Sequence, residues 1–240
     1  MENQLEATKT IISSVDWQRI ESDMHEKGYA LVAKALPVEI CDQFIADYDQ
    51  PALYRKTVVM ARHRFGLGEY KYFDYPLPDF VQAVRESVYP KLATVANTWS
   101  ERLRMDLRFP NSFNKLRQLC RENGQEKPTP LILKYGVGGF NTLHQDLYGE
   151  VYFPIQLAFF LNEPEKDYSG GEFVLTEQTP RAQSKAIVLK PGKGDMMIFT
   201  TNFRPVKGSK GYYRVNMKHG VSELHSGERH TLGIIFHDAS

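Results

Sequence analysis

The segment Leu131-Ile132-Leu133-Lys134-Tyr135-Gly136-Val137-Gly138-Gly139-Phe140-Asn141-Thr142-Leu143-His144-Gln145-Asp146 joins an apolar strand-like run, a glycine-rich bend and a His-x-Asp pair. In an extended segment residues two apart point the same way, so His144 and Asp146 can address a single ion. Further β-rich runs follow at 151–161, 171–175, 186–189, 196–200, 212–217 and 231–236, separated by turns. Short strands at this spacing predict a sandwich or jelly roll.

Upstream the pattern is different. Trp17, Ile20 and Met24 recur at spacings of three and four, which predicts a short amphipathic helix ended by Gly28. Residues 29–33 read as a strand, and Pro37 as the first residue of a helix carrying Ile40, Phe44, Ile45 and Tyr48 inward. The stretch 54–75 mixes Arg55, Lys56, Arg62, His63, Arg64 and Lys71 with Tyr70, Tyr72, Phe73 and Tyr75. Its composition is that of a binding surface, although a solvated or core-covering segment is the commoner use of such a mixture. A helix is expected over 79–104, and 111–125 is basic and polar around Leu116, Leu119 and Cys120. The chain therefore divides into a mostly helical supporting portion, 1–129, and a β-rich catalytic core, 130–240, in one catalytic domain.

The 240 residues are 42% hydrophobic, enough to bury a substantial core. Thirty basic against twenty-nine acidic residues give a net charge of +1, which excludes a broad basic field for nucleic acid and leaves room for a local patch. Cys41 and Cys120 form no Cys-x-x-Cys or Cys/His cluster and are expected to pack in the core. The opening Met1-Glu2-Asn3-Gln4-Leu5-Glu6 lacks the order of a signal peptide, and runs such as 157–161 are too short to span a bilayer. A soluble cytoplasmic protein without membrane contact is the expectation.

One imidazole and one carboxylate leave room for a third ligand. A 2-His-1-carboxylate triad occupies three adjacent positions of Fe(II) and leaves three open. His219 follows the run 212–217 where a jelly roll folds back over its first strands, and His225 is its rival. His230 and His237 are expected to be packing or surface residues, while His25 and His63 lie outside the β region. Arg229 and Thr231 share a strand face, and a guanidinium beside a hydroxyl suits a carboxylate, which the planar fork binds in bidentate fashion. Gly170-Gly171 reads as a turn that sends Phe173 into the core and leaves Glu172 outside the site, and 192–195 as a hairpin turn.

The ordered set His144-x-Asp146, Gly170-Gly171-Glu172-Phe173, Pro191-Gly192-x-Gly194-Asp195, His219 and Arg229 resembles the 2-oxoglutarate/Fe(II) oxygenases, in a prolyl-hydroxylase-like order, over roughly 131–238. That resemblance implies an α+β, mainly β fold: a double-stranded β-helix (jelly roll, cupin-like) with the metal inside its open end. It implies Fe(II) on His144, Asp146 and His219, and 2-oxoglutarate held through its C5 carboxylate by Arg229 with Thr231, to which Tyr135 adds a hydroxyl. O2 completes the set, and a C–H bond is hydroxylated with succinate and CO2 as coproducts. The chain also resembles a bacterial and fungal subgroup whose label points to oxidative removal of lesions from nucleic acid. There, hydroxylation of an N-methyl group would release formaldehyde. Arg229-His230-Thr231-Leu232-Gly233 departs from the Arg-x-Asn-x-Thr-x-x-Arg pattern of alkylation-repair relatives. Two primary substrates stay open, an alkylated base in DNA or RNA and a protein, peptide or small-molecule C–H bond. The remaining class is a non-catalytic cupin-like binding domain, distinguished by having no Fe(II)-dependent turnover.

Overall fold

The computed structural model describes residue 12 and residues 14–240; the opening stretch expected to carry no signal peptide lies outside them. Asp16 starts the first helix, α1 (Trp17–Lys27), by accepting the Arg19 N–H at 3.0 Å, and Gly28 ends it in the left-handed region at φ 78°. Spacing and stop signal thus act as predicted. After β1 (Tyr29–Val32), Pro37 caps α2 (Val38–Ala46) from just outside the helix and not as its first residue. Next come β2 (Tyr54–Val59), β3 (Gly66–Leu67), β4 (Glu69–Phe73), the long α3 (Asp79–Arg102) and α4 (Phe113–Glu122).

The rest is β: β5 (Leu131–Tyr135), β6 (Phe140–His144), β7 (Ile155–Phe160), β8 (Tyr168–Gly170), β9 (Phe173–Gln178) and β10 (Lys185–Leu189). It continues through β11 (Met196–Thr200), β12 (Phe203–Gly208), β13 (Gly211–Val221), β14 (Leu224–Gly227) and β15 (Arg229–Ile234). One antiparallel sheet runs β1-β11-β7-β15-β5-β4-β2 and the other β10-β9-β13-β6-β3, with β12 on β13 and a separate β14-β8 ribbon. From β5 onward the chain passes back and forth between the two sheets, which is the expected double-stranded β-helix.

β7 explains why one predicted run is continuously apolar. Leu157 and Phe159 belong to the core shared with the helices, while Ala158 and Phe160 pack between the sheets with Phe173, Leu175, Met197 and Phe199. A strand covered on both faces needs apolar side chains on both. α3 provides the outer cover, its Phe80 ring lying 5.4 Å from Phe159 and Tyr89 6.0 Å from Phe236. Cys41 and Cys120 are buried free thiols, as expected. Among the described residues no helix is long and apolar enough to cross a membrane.

Several local expectations need correction. In the stretch 54–75, β2 and β4 extend the first sheet, pairing Tyr70 with Leu133 and Tyr72 with Leu131, while the two-residue β3 pairs with β6 in the second. Period-two alternation within Glu69-Tyr70-Lys71-Tyr72-Phe73 is the signal that composition obscured. Lys71 points away from the tyrosines beside it and lays its Nζ 3.9 Å over the Tyr48 ring. β13 runs on through His219 to Val221 and does not stop at 217. Gly220 permits this, because a Cβ there would lie 2.7 Å from the Asn141 carbonyl oxygen. Residues 192–195 form a turn but not a hairpin: they carry the chain from β10 in one sheet to β11 in the other.

A buried ion pair closes the helical side. Arg85 Nη2 donates to Asp238 Oδ1 and to the Phe236 carbonyl, each at 2.7 Å, and Tyr75 hydroxyl donates to Asp238 Oδ2 at 2.9 Å. Both charged residues are almost fully buried. Removing one partner leaves the other charge uncompensated, so Asp238→Ala is expected to lower the unfolding free energy by about 3–5 kcal/mol in guanidinium denaturation.

Candidate functional site

His144 ends β6 and Asp146 follows two residues on, both turned to the space between the sheets. Gln145 turns the other way, its Nε2 donating to the Met217 and Asn202 carbonyls at 2.8 Å each, which anchors the segment to β13. His219 on β13 is the register partner of His144, so the imidazoles share a face with centroids 4.2 Å apart. His144 Nε2 lies 3.6 Å from Asp146 Oδ1, and His219 Nε2 lies 3.5 Å from Asp146 Oδ2. One ligand atom from each of the three residues lies within 4.8 Å of the others.

The groups around this cluster favour ligation over protonation. His144 Nδ1 sits 2.7 Å from the Thr142 carbonyl, so the Nδ1–H donates there and the Nε2 lone pair stays available. Gln156, on β7, donates from Nε2 to Asp146 Oδ2 at 2.9 Å. Burial opposes ionisation of Asp146, but hydrogen bonding to His219 and the two imidazoles beside it outweigh that and hold the carboxyl well below the usual carboxylate range. Burial, then the neighbouring His219, pushes the His144 pKa down and keeps the ring neutral. Phe173 stacks on His219 at 6.2 Å and Phe199 packs against it at 4.9 Å.

Arg229 begins β15 opposite Tyr135 on β5, and Thr231 follows on the same face. All three line the cavity that contains the His-Asp-His cluster. Arg229 is 2% exposed, yet no carboxylate lies within the 4.0 Å of an ion pair among the described residues. Its Nε and the Thr231 Oγ1 are buried without partners, and the Tyr135 hydroxyl, with Asn141 nearby, completes no hydrogen bond. Burial pushes the Tyr135 phenol up to about 12, so it remains a donor. A buried guanidinium beside two such hydroxyls has the donors that a carboxylate would accept from. Gly171 lets the chain pass close to it: at φ 61°, a Cβ there would meet Leu224 Cδ1 at 2.2 Å and Arg229 Cδ at 3.2 Å.

The cavity, about 420 Å³, runs along the first sheet. In that sheet Arg229 pairs with Tyr135 at one end, while Gly233 pairs with Leu131 and Leu131 with Tyr72 at the other. Four residues separate the ends, about 13 Å at roughly 3.3 Å per residue. Tyr148 and Gln156 line it with no signal in the sequence to mark them, and Tyr70 and Tyr72 join them from the mixed basic and aromatic stretch. His225 is exposed on β14 and takes no part in the cluster. Glu172 lies outside the cavity, bonded to Ser222 and Lys190. His230 turns away from Arg229 to lie 5.3 Å from the Tyr48 ring, and His237 Nδ1 accepts the Phe153 N–H at 3.1 Å. Burial lowers both of these histidines to about 4 and keeps them neutral.

The double-stranded β-helix carries this His-Asp-His cluster between its two sheets, and the family that the sequence matches makes the protein an oxygenase. Residues 68–239 match the family Oxygenase-NA, described as an oxygenase catalysing oxidative methylation of damaged DNA, and the chain belongs to this family. An uncharacterised protein of Mycobacterium tuberculosis is 40% identical over 194 residues, covering 79% of this chain and 83% of that protein. Among solved structures, a Pseudomonas putida prolyl-4-hydroxylase superposes with a TM-score of 0.53 at 14% identity, covering 93% of this chain and 99% of its own. A 2OG-Fe(II) oxygenase family oxidoreductase from Burkholderia pseudomallei gives 0.51 at 11% identity, covering 95% and 94%. At these identities the likeness to the solved structures is one of fold.

Proposed function

We propose that His144, Asp146 and His219 hold Fe(II), that Arg229, Thr231 and Tyr135 receive the C5 carboxylate of 2-oxoglutarate, and that the enzyme hydroxylates an N-methyl carbon on damaged nucleic acid. The observation that carries this reading is the buried Arg229 guanidinium, without an anionic partner among the described residues, in the same cavity as three converging metal-ligating side chains. The donor set fits the metal: two imidazole nitrogens and one carboxylate suit a facial triad. When bound, Fe(II) with 2-oxoglutarate and O2 supplies the oxidation of the C–H bond, with succinate and CO2 as coproducts.

The chain's own residues orient and shield. Gln156 keeps Asp146 turned toward the histidines, the Thr142 carbonyl fixes the His144 tautomer, and Phe173 and Phe199 wall His219 from water. The family description supports a nucleic-acid substrate for this chain. Succinate formation stimulated by N-methylated oligonucleotides, with formaldehyde released in equal amount, is the expected result. Stimulation by peptides alone would assign the oxygenase a protein substrate instead. Gln156→Leu is expected to weaken Fe(II) binding by about 10–100-fold in an oxygen-free titration, because partners of a ligand tune metal affinity to that extent.

A further inference from the structure

We propose that the segment β2 to β4 reads the substrate: Arg62 and Arg64 at its tip take backbone phosphates of a single strand, and Phe65, Tyr70, Tyr72 and Tyr148 enclose one base. This rests on the reading of the cavity as an oxygenase site and assigns the residues at its mouth and walls that hold the substrate.

Register places Tyr72 opposite Leu131, at the far end of the cavity from Arg229, and Tyr70 opposite Leu133. Tyr70 and Tyr72 line the cavity with rings 5.3 Å apart at 88°. Arg55 lies 4.5 Å over the Tyr72 ring and is itself held by the Pro128 carbonyl at 2.9 Å, so this wall does not swing freely. The Tyr148 hydroxyl is buried without a partner, a group that a ring heteroatom would satisfy. Phe65 lines the cavity yet is 47% exposed, an apolar ring left in water at the rim. Aromatic faces that accept any base by stacking are the usual means of gripping single-stranded nucleic acid.

Charge at the rim matches the backbone of such a strand. Arg62, His63 and Arg64 are exposed, and His63 stacks on Phe65 at 5.3 Å and 23°. Neither arginine side chain makes an ion pair or hydrogen bond among the described residues, whereas Lys27, Lys134, Lys190, Lys193 and Arg204 are each paired with an acidic residue. The tip is also tied to the metal-ligating strand. The Phe65 carbonyl accepts from Thr142 N–H and Thr142 Oγ1, each at 2.9 Å, and Thr142 in turn receives the His144 Nδ1–H.

The test is binding of a fluorescein-labelled short single-stranded oligonucleotide carrying one N-methylated adenine, to the enzyme loaded with Fe(II) and 2-oxoglutarate without oxygen, as salt is varied. Arg62→Gln combined with Arg64→Asn, the latter chosen because asparagine tolerates the left-handed backbone at φ 59°, should reduce the slope of log Kd against log salt by about 1.4, roughly 0.7 for each phosphate that is no longer neutralised. Phe65→Ala should weaken binding about fivefold or more with the slope unchanged, because a stacking surface is removed. Tyr148→Phe, which keeps the ring and removes the hydroxyl, should weaken it about fivefold to tenfold. An unchanged slope in the arginine variant, retained affinity in both aromatic variants, or a proline-containing peptide bound in preference to the oligonucleotide would overturn the proposal. Substrate-free succinate formation by the unaltered enzyme, measured in parallel, stands or falls with the oxygenase reading, and the salt slope with the hairpin.

Discussion

Replacing Asp146 by alanine is expected to abolish succinate formation from 2-oxoglutarate. Asp146 is the one carboxylate in the cluster, it lies within 3.6 Å of both imidazoles, and its environment holds it ionised. Without it two imidazoles remain, and a divalent cation loses the only negative charge among its ligands. Metal-derived stabilisation of several kcal/mol corresponds to a rate loss of about a thousandfold or more. Asp146→Asn separates charge from shape: the side chain keeps its size and can still bond Gln156, yet turnover should fall nearly as far. The measurement is release of succinate with Fe(II) in excess, and a loss that excess metal restores would place the defect in affinity alone.

The second large effect is at Arg229. A buried guanidinium with no carboxylate partner among the described residues carries a desolvation cost that an anionic ligand would offset. Arg229→Gln should therefore raise the KM for 2-oxoglutarate by about 100-fold, since each hydrogen bond to a charged group contributes about 1.5–3 kcal/mol. Arg229→Lys should fall between, keeping the charge while losing the two-pronged geometry. The unliganded Arg229→Gln protein should be no less stable than the parent. In the parent, 2-oxoglutarate at about 100 times its Kd should add about 2.7 kcal/mol, or roughly 5–10 °C in Tm for a chain of this length, and the variant should lose that shift.

Much of this site was legible in the residues because it depends on local periodicity. His144 and Asp146 lie two apart on extended chain, and Arg229 and Thr231 two apart on β15, so strand geometry alone puts each pair on one face. The spacing of Trp17, Ile20 and Met24, with Gly28 as the stop, made the first helix similarly plain. What stayed hidden depends on pairing between distant segments. Gln156 sits in a run that reads as core strand, and only the approach of β7 to Asp146 gives its amide a role. Tyr70 and Tyr72 alternate with Glu69 and Lys71, but the mixture reads as surface until β4 is seen to pair with β5. The extent of β13 was underestimated because Gly220 resembles a terminator, whereas the close approach of β6 requires a glycine inside the strand.

Oxygen-free calorimetric titration with Fe(II) and then 2-oxoglutarate tests the central claim most directly. One Fe(II) per chain is predicted for the parent protein, with binding lost in His144→Ala, Asp146→Ala and His219→Ala, retained in His225→Ala, and 2-oxoglutarate binding tightly only once the metal is present. Fe(II) binding that survives in His219→Ala and disappears in His225→Ala, or 2-oxoglutarate affinity indifferent both to the metal and to Arg229→Gln, would contradict it.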